Sequence, residues 1–466
     1  MSQSSDNNDN KTTFTSKASK AISASKASTA TPTTPSTISK VLIITYYWPP
    51  SGGAGVQRWL RFSKYLPRFE WEPVILTVDP SYAAYPVTDD SLLSGLPSSV
   101  KIYKTPATDF FSIYKKNKSK IPSAGFANSA ENTLLGKLMR FVRGNFFIPD
   151  PRRGWNKYAF KKASAIIESE GISHIITTSP PHSTQLIGLK LRKKYPGIKW
   201  IADLRDPWTD IYYYSQFYHT FIAREIDRGY EKKVLKEADC VITVGKSLKS
   251  HYSQMIPGID NKIEVITNGY DEDDFEGYVS TETTKFTISY IGTLSDSYPI
   301  AGFLDALKMP DEDSSNFHLK FVGTTSPKQK ELILSKIEKS SVEFVPYVDH
   351  NKAITYIYNS DLLLLIIPDH KSNKSIITGK VFEYIASGKP IICLGPVDGD
   401  AGDIITSGKS GKTFGYNDQK GIADYIKESF HNWESGINNL APNDLIQNFS
   451  GKSLTAKLVQ VIQQIK

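Results

Sequence analysis

Lys380 and Glu383 lie three residues apart within residues 376–394, IITGKVFEYIASGKPIICL. Positions three apart share one side of a helix. Val381, Phe382, Ile385 and Ala386 give the stretch an apolar face at that spacing, and Thr378 and Gly379 can start the helix. Gly388 stops it, Pro390 keeps it from restarting, and 391–394 read as an inner strand of a parallel sheet. A carboxylate near a helix start can accept two hydrogen bonds from a vicinal diol. A lysine beside the same helix start draws an anion such as phosphate. A ribose attached to a diphosphate asks for that pair of groups. A surface ion pair on an amphipathic helix would use the same two residues.

Three other stretches put polar groups where a strand gives way to a turn. Residues 51–58, SGGAGVQR, form a glycine-rich turn between a strand and a helix. Its amides can point at phosphate, and Gly52 and Gly53 let a ligand approach closely. It is a poor dinucleotide fingerprint, because Gly53 and Gly55 match the first two glycines but Arg58 stands where the third should be. Asp79 falls where the ribose-binding acid of such a unit would lie. Residues 178–183, TSPPHS, close a strand and put His182 at the carboxyl edge of the sheet, where open α/β folds bind ligands. A neutral histidine there can hold a sugar hydroxyl. Residues 202–208, ADLRDPW, set Arg205 and Asp206 at the same edge, either to bind substrate or to pair with each other.

Two lookalikes fail. Residues 402–410 resemble a phosphate-binding P-loop, but five residues separate Gly402 from Gly408 where four are needed. The acidic run 271–274 resembles a metal cluster but has no histidine or cysteine beside it. No metal site and no serine or cysteine nucleophile motif is expected.

The elements that must position these groups alternate. Strands are predicted over 41–45, 73–78, 174–178, 199–203, 238–244 and 262–267, with helices over 56–66 and 183–195. After an acidic, polar stretch to Thr284 the alternation restarts, with strands over 286–291, 318–322, 342–344, 362–367 and 390–394. Such alternation predicts doubly wound parallel sheets. The expected organisation is a disordered Ser/Thr/Ala/Lys-rich tail over 1–38, one α/β domain over 39–278, a second over 285–440, and an amphipathic C-terminal helix within 441–466. A length of 466 residues suits two domains. A hydrophobic fraction of 39% with 22% charged residues suits a soluble globular class. Cys240 and Cys393 sit in apolar runs and read as reduced core thiols of a cytoplasmic protein. No apolar run is long enough to span a bilayer.

The formal net charge of +8 points to an anionic partner. Residues 101–162 concentrate it, with fourteen Lys and Arg against three Asp and Glu, and with Phe110, Phe111, Tyr114, Phe141, Phe146, Phe147 and Trp155 among them. Residues 134–147, LLGKLMRFVRGNFF, predict a basic amphipathic helix. That pattern suits either an anionic membrane or lipid phosphate, or a solvated face over an ordinary core helix. No nucleic-acid-binding module accompanies the charge.

Taken together, SGGAGVQR, ADLRDPW, ITNGYDEDDF (266–275), ISYIGTL (288–294) and GKVFEYIASGKPI (379–391) resemble, in order, the retaining nucleotide-sugar-dependent glycosyltransferases of the GT-B fold, family 4 type. The resemblance runs from Lys40 onward. It implies two Rossmann-like domains facing across a cleft, with the last helix crossing back to the first domain. Gly52 and Gly53 would approach the donor diphosphate, and Gly292 and Thr293 would line the donor pocket. The backbone around 345–348, including Tyr347 and Val348, would hold the base. Lys380 would face phosphate and Glu383 the ribose hydroxyls. His182 would sit near the transferred sugar on the acceptor side, with Asp206. The sequence departs from the family pattern in two places. Ser375 stands where many relatives carry a first glutamate, and 295–299, SDSYP, has no cation where relatives clamp phosphate. Lys380, Arg58 and Arg205 are the candidates for that charge.

The reading is a glycosyltransferase that uses a UDP- or GDP-sugar as co-substrate, without a cofactor or metal. Its acceptor would be a glycan or lipid-linked glycan in cell-surface polysaccharide synthesis, in the cytoplasm or at the inner face of the plasma membrane. Other readings are a sugar-nucleotide epimerase on the same scaffold, a non-catalytic nucleotide-sugar-binding protein, and, last, a dehydrogenase.

Overall fold

A computed structural model describes residues 38–465, except 53, 84, 86–87, 94, 109–133, 279–283, 309–316 and 438–442. Gly53, Phe110, Phe111, Tyr114 and most of the tail therefore lie outside the described residues.

The first sheet has seven parallel strands: β1 (Ser39–Ile44), β2 (Trp71–Val78), β3 (Lys101–Thr105), β4 (His174–Ser179), β5 (Lys199–Leu204), β6 (Cys240–Thr243) and β7 (Ile263–Val265). Their order is β3-β2-β1-β4-β5-β6-β7. The second has six: β8 (Phe286–Ile291), β9 (Phe317–Val322), β10 (Val342–Val345), β11 (Leu362–Ile366), β12 (Ile391–Leu394) and β13 (Gly411–Phe414), in the order β10-β9-β8-β11-β12-β13. Each order reverses direction once, between β1 and β4 and between β8 and β11. Those reversals are the switch points where a doubly wound sheet opens a crevice at its carboxyl ends.

Central strands read as continuous apolar runs because both faces are covered. On β1, Leu42 and Ile44 enter the core on one face while Val41 and Ile43 enter the core on the other. On β11, Leu362, Leu364 and Ile366 point one way and Leu363 and Leu365 the other. The last helix, Gly451–Gln464, starts at Ser450, whose hydroxyl accepts from the Ser453 amide. It buries Leu454, Leu458 and Ile462 in the core that also holds Val41 and Trp59.

Strands β3 and β13 are not anticipated from the sequence. Two of the five residues of β3, KIYKT, are lysines, and its edge position needs little apolar surface. The predicted helix over 183–195 is a short 3-10 turn, His182–Thr184, followed by helix Gln185–Lys194.

Candidate functional site

Every sequence-predicted site residue that is described, apart from Arg58, follows the carboxyl end of a strand. Gly52 lies in the loop after β1, His182 after β4, Arg205 and Asp206 after β5, Gly292 and Thr293 after β8, and Tyr347 and Val348 after β10. Lys380 and Glu383 open the short helix Lys380–Ala386 between β11 and β12.

Lys380 is turned onto the second sheet's switch point. Its Nζ donates to the Tyr290 hydroxyl at 2.7 Å and lies 4.1 Å from the centre of that ring. The hydroxyl in turn donates to the Thr293 carbonyl at 2.8 Å. A Cβ added at Gly292 would stand 2.5 Å from the ammonium, so only glycine leaves Lys380 its place. Burial pulls the Lys380 pKa down to about 7, and the nearby Glu383 only partly offsets that. Among the described residues Lys380 makes no ion pair.

Glu383 is half-buried, and among the described residues nothing hydrogen-bonds its carboxylate. Burial raises its pKa against the opposing pull of His350, Arg61 and Lys380. Arg61 belongs to helix Ala54–Tyr65 of the first lobe, so the carboxylate is acted on from both lobes. His350 bonds Asp274 at 3.1 Å, and that bond raises its pKa.

On the first lobe His182 stacks on Trp208, with ring centres 4.9 Å apart and planes 12° from parallel. Neither ring nitrogen has a partner among the described residues. Burial, helped by the neighbouring Arg205, holds its pKa down at about 3, so the ring is neutral with both nitrogens unused. Trp208 is fixed from below, its indole donating to Asp227 at 2.8 Å, and Tyr214 donates to the other oxygen of the same carboxylate at 2.8 Å. Arg205 is spent on backbone carbonyls, of Gly55 at 2.7 Å and Ser179 at 3.0 Å, so it ties the glycine loop to the turn after β4. Burial lowers its pKa and raises that of Asp206.

Arg58 is placed differently from its expected role. It is buried, pairs with the equally buried Asp203 at 3.1 Å, and donates to the carbonyls of Ile266 and Thr267 at 2.9 and 2.7 Å. Asp203 also accepts from Trp59 and Thr178 at 2.8 and 2.7 Å. This guanidinium joins elements inside the lobe and does not face a donor phosphate. The expected phosphate cations reduce to Lys380, with Arg205 at the margin. Among the described residues no group of three or more His, Cys, Asp or Glu is placed to hold a metal ion.

The acidic run rejected as a metal cluster has a structural occupation. Asp271 accepts from Lys64 and Tyr65 at 2.8 Å, and Asp273 pairs with Lys64 at 2.7 Å. Glu272 accepts from the Gly451 amide at 3.1 Å, and Asp274 holds His350. The passage between the sheets is thus tied to both lobes and to the last helix.

The carboxyl-end loops of the two sheets touch. Asp400, at the start of helix Asp400–Ser407, accepts from the Ser247 amide and hydroxyl at 3.1 Å, near the start of helix Lys246–Met255 in the other lobe. Tyr212 stacks on His370 at 4.5 Å. A cavity of about 160 Å³ opens between Asp210, Ser247 and His251 on one side and Ser372, Lys374 and Ser375 on the other. Sequence reasoning missed Arg61, His350 and Asp227. Arg61 follows Arg58 by three positions on one helix, a spacing that could have drawn attention to it, whereas His350 and Asp227 carry no local signal.

Two family matches follow the same division. Residues 123–274 match the family described as Glycosyltransferase Family 4, and residues 285–432 match Glycosyl transferases group 1. Among curated proteins none matches the chain by sequence. Among solved structures, a glycosyltransferase from Rickettsia africae is 15% identical with a TM-score of 0.58, covering 92% of this chain and 98% of its own. Sucrose-phosphate synthase from Thermosynechococcus elongatus is 14% identical at 0.59, covering 92% and 99%. Anabaena HepE, solved in complex with UDP, is 13% identical at 0.58, covering 91% and 99%. Two Rossmann-like sheets, each carrying one of the family matches, place this chain among the GT-B glycosyltransferases of the family 4, group 1 type.

Proposed function

We propose that the protein is a retaining glycosyltransferase that moves a sugar from a nucleoside-diphosphate sugar to a hydroxyl of a glycan or lipid-linked glycan, in building cell-surface polysaccharide at the cytoplasmic face of the membrane. One observation carries this reading: Lys380, which has no ion-pair partner among the described residues, is turned onto Gly292, while Glu383, which has no hydrogen bond among them, is acted on by Arg61 of the other lobe. A ribose diol on Glu383 and a diphosphate on Lys380 would satisfy both groups. UDP is the first nucleotide to try, given the UDP held by the HepE neighbour.

In this reaction the bond from the sugar's anomeric carbon to the diphosphate oxygen breaks, and its electron pair leaves with the diphosphate. The acceptor hydroxyl bonds the same carbon from the same face, and its proton passes to the departing phosphate oxygen. The protein's task is to neutralise charge growing on that oxygen. Lys380 and the backbone around Gly52 and Gly292 fit the task. Neutral His182, with both nitrogens unused, can hold a hydroxyl of the transferred sugar. A thermal-shift screen against UDP, GDP, ADP and CMP tests the donor half, because a ligand that binds only the native state raises its melting point. Stabilisation by a nucleoside diphosphate, followed by sugar transfer from the matching donor, is the expected result. No stabilisation by any nucleotide would overturn it.

A further inference from the structure

Two helices leave large apolar side chains in solvent at one corner of the first lobe. Helix Leu134–Phe146 has Leu134 86% and Phe146 69% exposed, with Leu138 between them also exposed. Its C-terminal end is packed tightly. A Cβ at Gly144 would fall 2.4 Å from the Phe217 carbonyl oxygen. The Asn145 side chain donates to the Tyr218 carbonyl at 3.1 Å and accepts from the Thr220 amide at 2.7 Å. Thr220 caps the next helix, Phe221–Glu237, whose first two residues, Phe221 and Ile222, are 74% and 70% exposed. The helix predicted as basic and amphipathic therefore does not turn its apolar side wholly inward. It joins a second exposed apolar helix start that lies outside 101–162.

The charge around this corner is positive. Helix Leu134–Phe146 carries Lys137, Arg140 and Arg143 and no acid. Arg140 and Arg143 lie over the rings of Tyr218 and Phe217 at 5.7 and 4.3 Å. On the second helix Arg224 and Arg228 are exposed with Glu225 beside them, a net excess of one positive charge, whereas Asp227 and Glu231 are buried against Trp208, Tyr214 and Thr209. Large apolar side chains exposed together and flanked by charge mark an interaction surface. A second copy pairing through the same corner would set cations against cations. Leucine and aromatic side chains flanked by Arg and Lys match the boundary of an anionic bilayer, where the apolar groups enter the acyl region and the cations meet phosphate.

We propose that this corner docks the protein on the surface of an anionic lipid bilayer. The turn Tyr214–Phe217 links the corner to Trp208, on which His182 stacks, so docking would bring the acceptor side of the cleft to the lipid. That link to a lipid-held acceptor rests on the proposed function; docking itself does not.

The full chain is sedimented with vesicles of neutral phosphatidylcholine and with vesicles containing phosphatidylglycerol, without substrate, and compared with the double substitution Phe221→Ser, Ile222→Ser. Binding to the anionic vesicles is expected, weakened by added salt and at least about tenfold weaker on neutral vesicles. The double variant should lose it by about tenfold or more while melting as the parent does and keeping its response to nucleotide. Three results would overturn the proposal: no binding of the parent to anionic vesicles, binding that the double variant retains in full, or a dimer of the parent in solution that the double variant abolishes. Vesicle binding without any nucleotide response would leave this surface standing and remove the donor reading instead.

Discussion

Lys380 reaches from its own helix to the carboxyl end of β8, where its Nζ bonds the Tyr290 hydroxyl at 2.7 Å and fills the space that a side chain at Gly292, in the loop that follows, would need. The two residues are 88 positions apart in the sequence. They meet because β8 and β11 are neighbours at the second sheet's switch point. The positive charge near the site thus depends on a glycine.

Gly292→Ala tests that dependence. The φ of +128° at Gly292 is strained for alanine, at about 1–3 kcal/mol, and its Cβ would meet the Lys380 Cε at 2.4 Å. The variant should melt lower and bind the nucleoside diphosphate at least about tenfold more weakly, because the ammonium is pushed aside. Calorimetric titration and a thermal melt check both parts.

Lys380 should also make donor binding depend on pH. Its pKa of about 7 in the free protein rises when a diphosphate arrives, because an anion favours the charged lysine. At pH 8 the complex therefore takes up a proton, and affinity falls as pH climbs above about 7. Titrations in buffers of different ionisation enthalpy should show the uptake in the parent and none in Lys380→Met.

Arg58→Met separates the two roles considered for that residue. Removing one partner of a buried pair leaves Asp203 uncompensated and costs about 3–5 kcal/mol. Denaturant unfolding should show that loss. Below the unfolding transition, nucleotide affinity should stay within about twofold of the parent, whereas a phosphate ligand would lose about tenfold or more.

Glu231 predicts a pH dependence of stability. Burial raises its pKa to about 7, above the ordinary glutamate value, so the folded state binds the proton more tightly than the unfolded one. Its contribution is present in full at low pH and is lost as pH rises through about 7. Thermal melts across pH 5–8 should fall more steeply for the parent than for Glu231→Gln.

Much of this architecture was legible because buried parallel strands announce themselves. The run 362–366 is apolar on both faces, and turns such as TSPPHS and ADLRDPW close strands where the sheet needs them. Edge strands β3 and β13 were not legible, since a strand covered on few sides needs no apolar run. Lys380 and Glu383 could be singled out because their spacing is local. The inward turn of Arg58 could not, because its partners Asp203 and the carbonyls near β7 lie 145 or more residues away. The relation of Arg61 and His350 to Glu383 was not legible either, because it exists only once the two lobes meet.

Whether Glu383 grips the sugar ring of a bound nucleotide is tested most directly by calorimetric titration of Glu383→Ala with the nucleoside diphosphate that stabilises the parent. Binding should be at least about tenfold weaker, from two lost hydrogen bonds to a charged group, with an unaltered melting point in the absence of ligand. A dissociation constant equal to the parent's would contradict it.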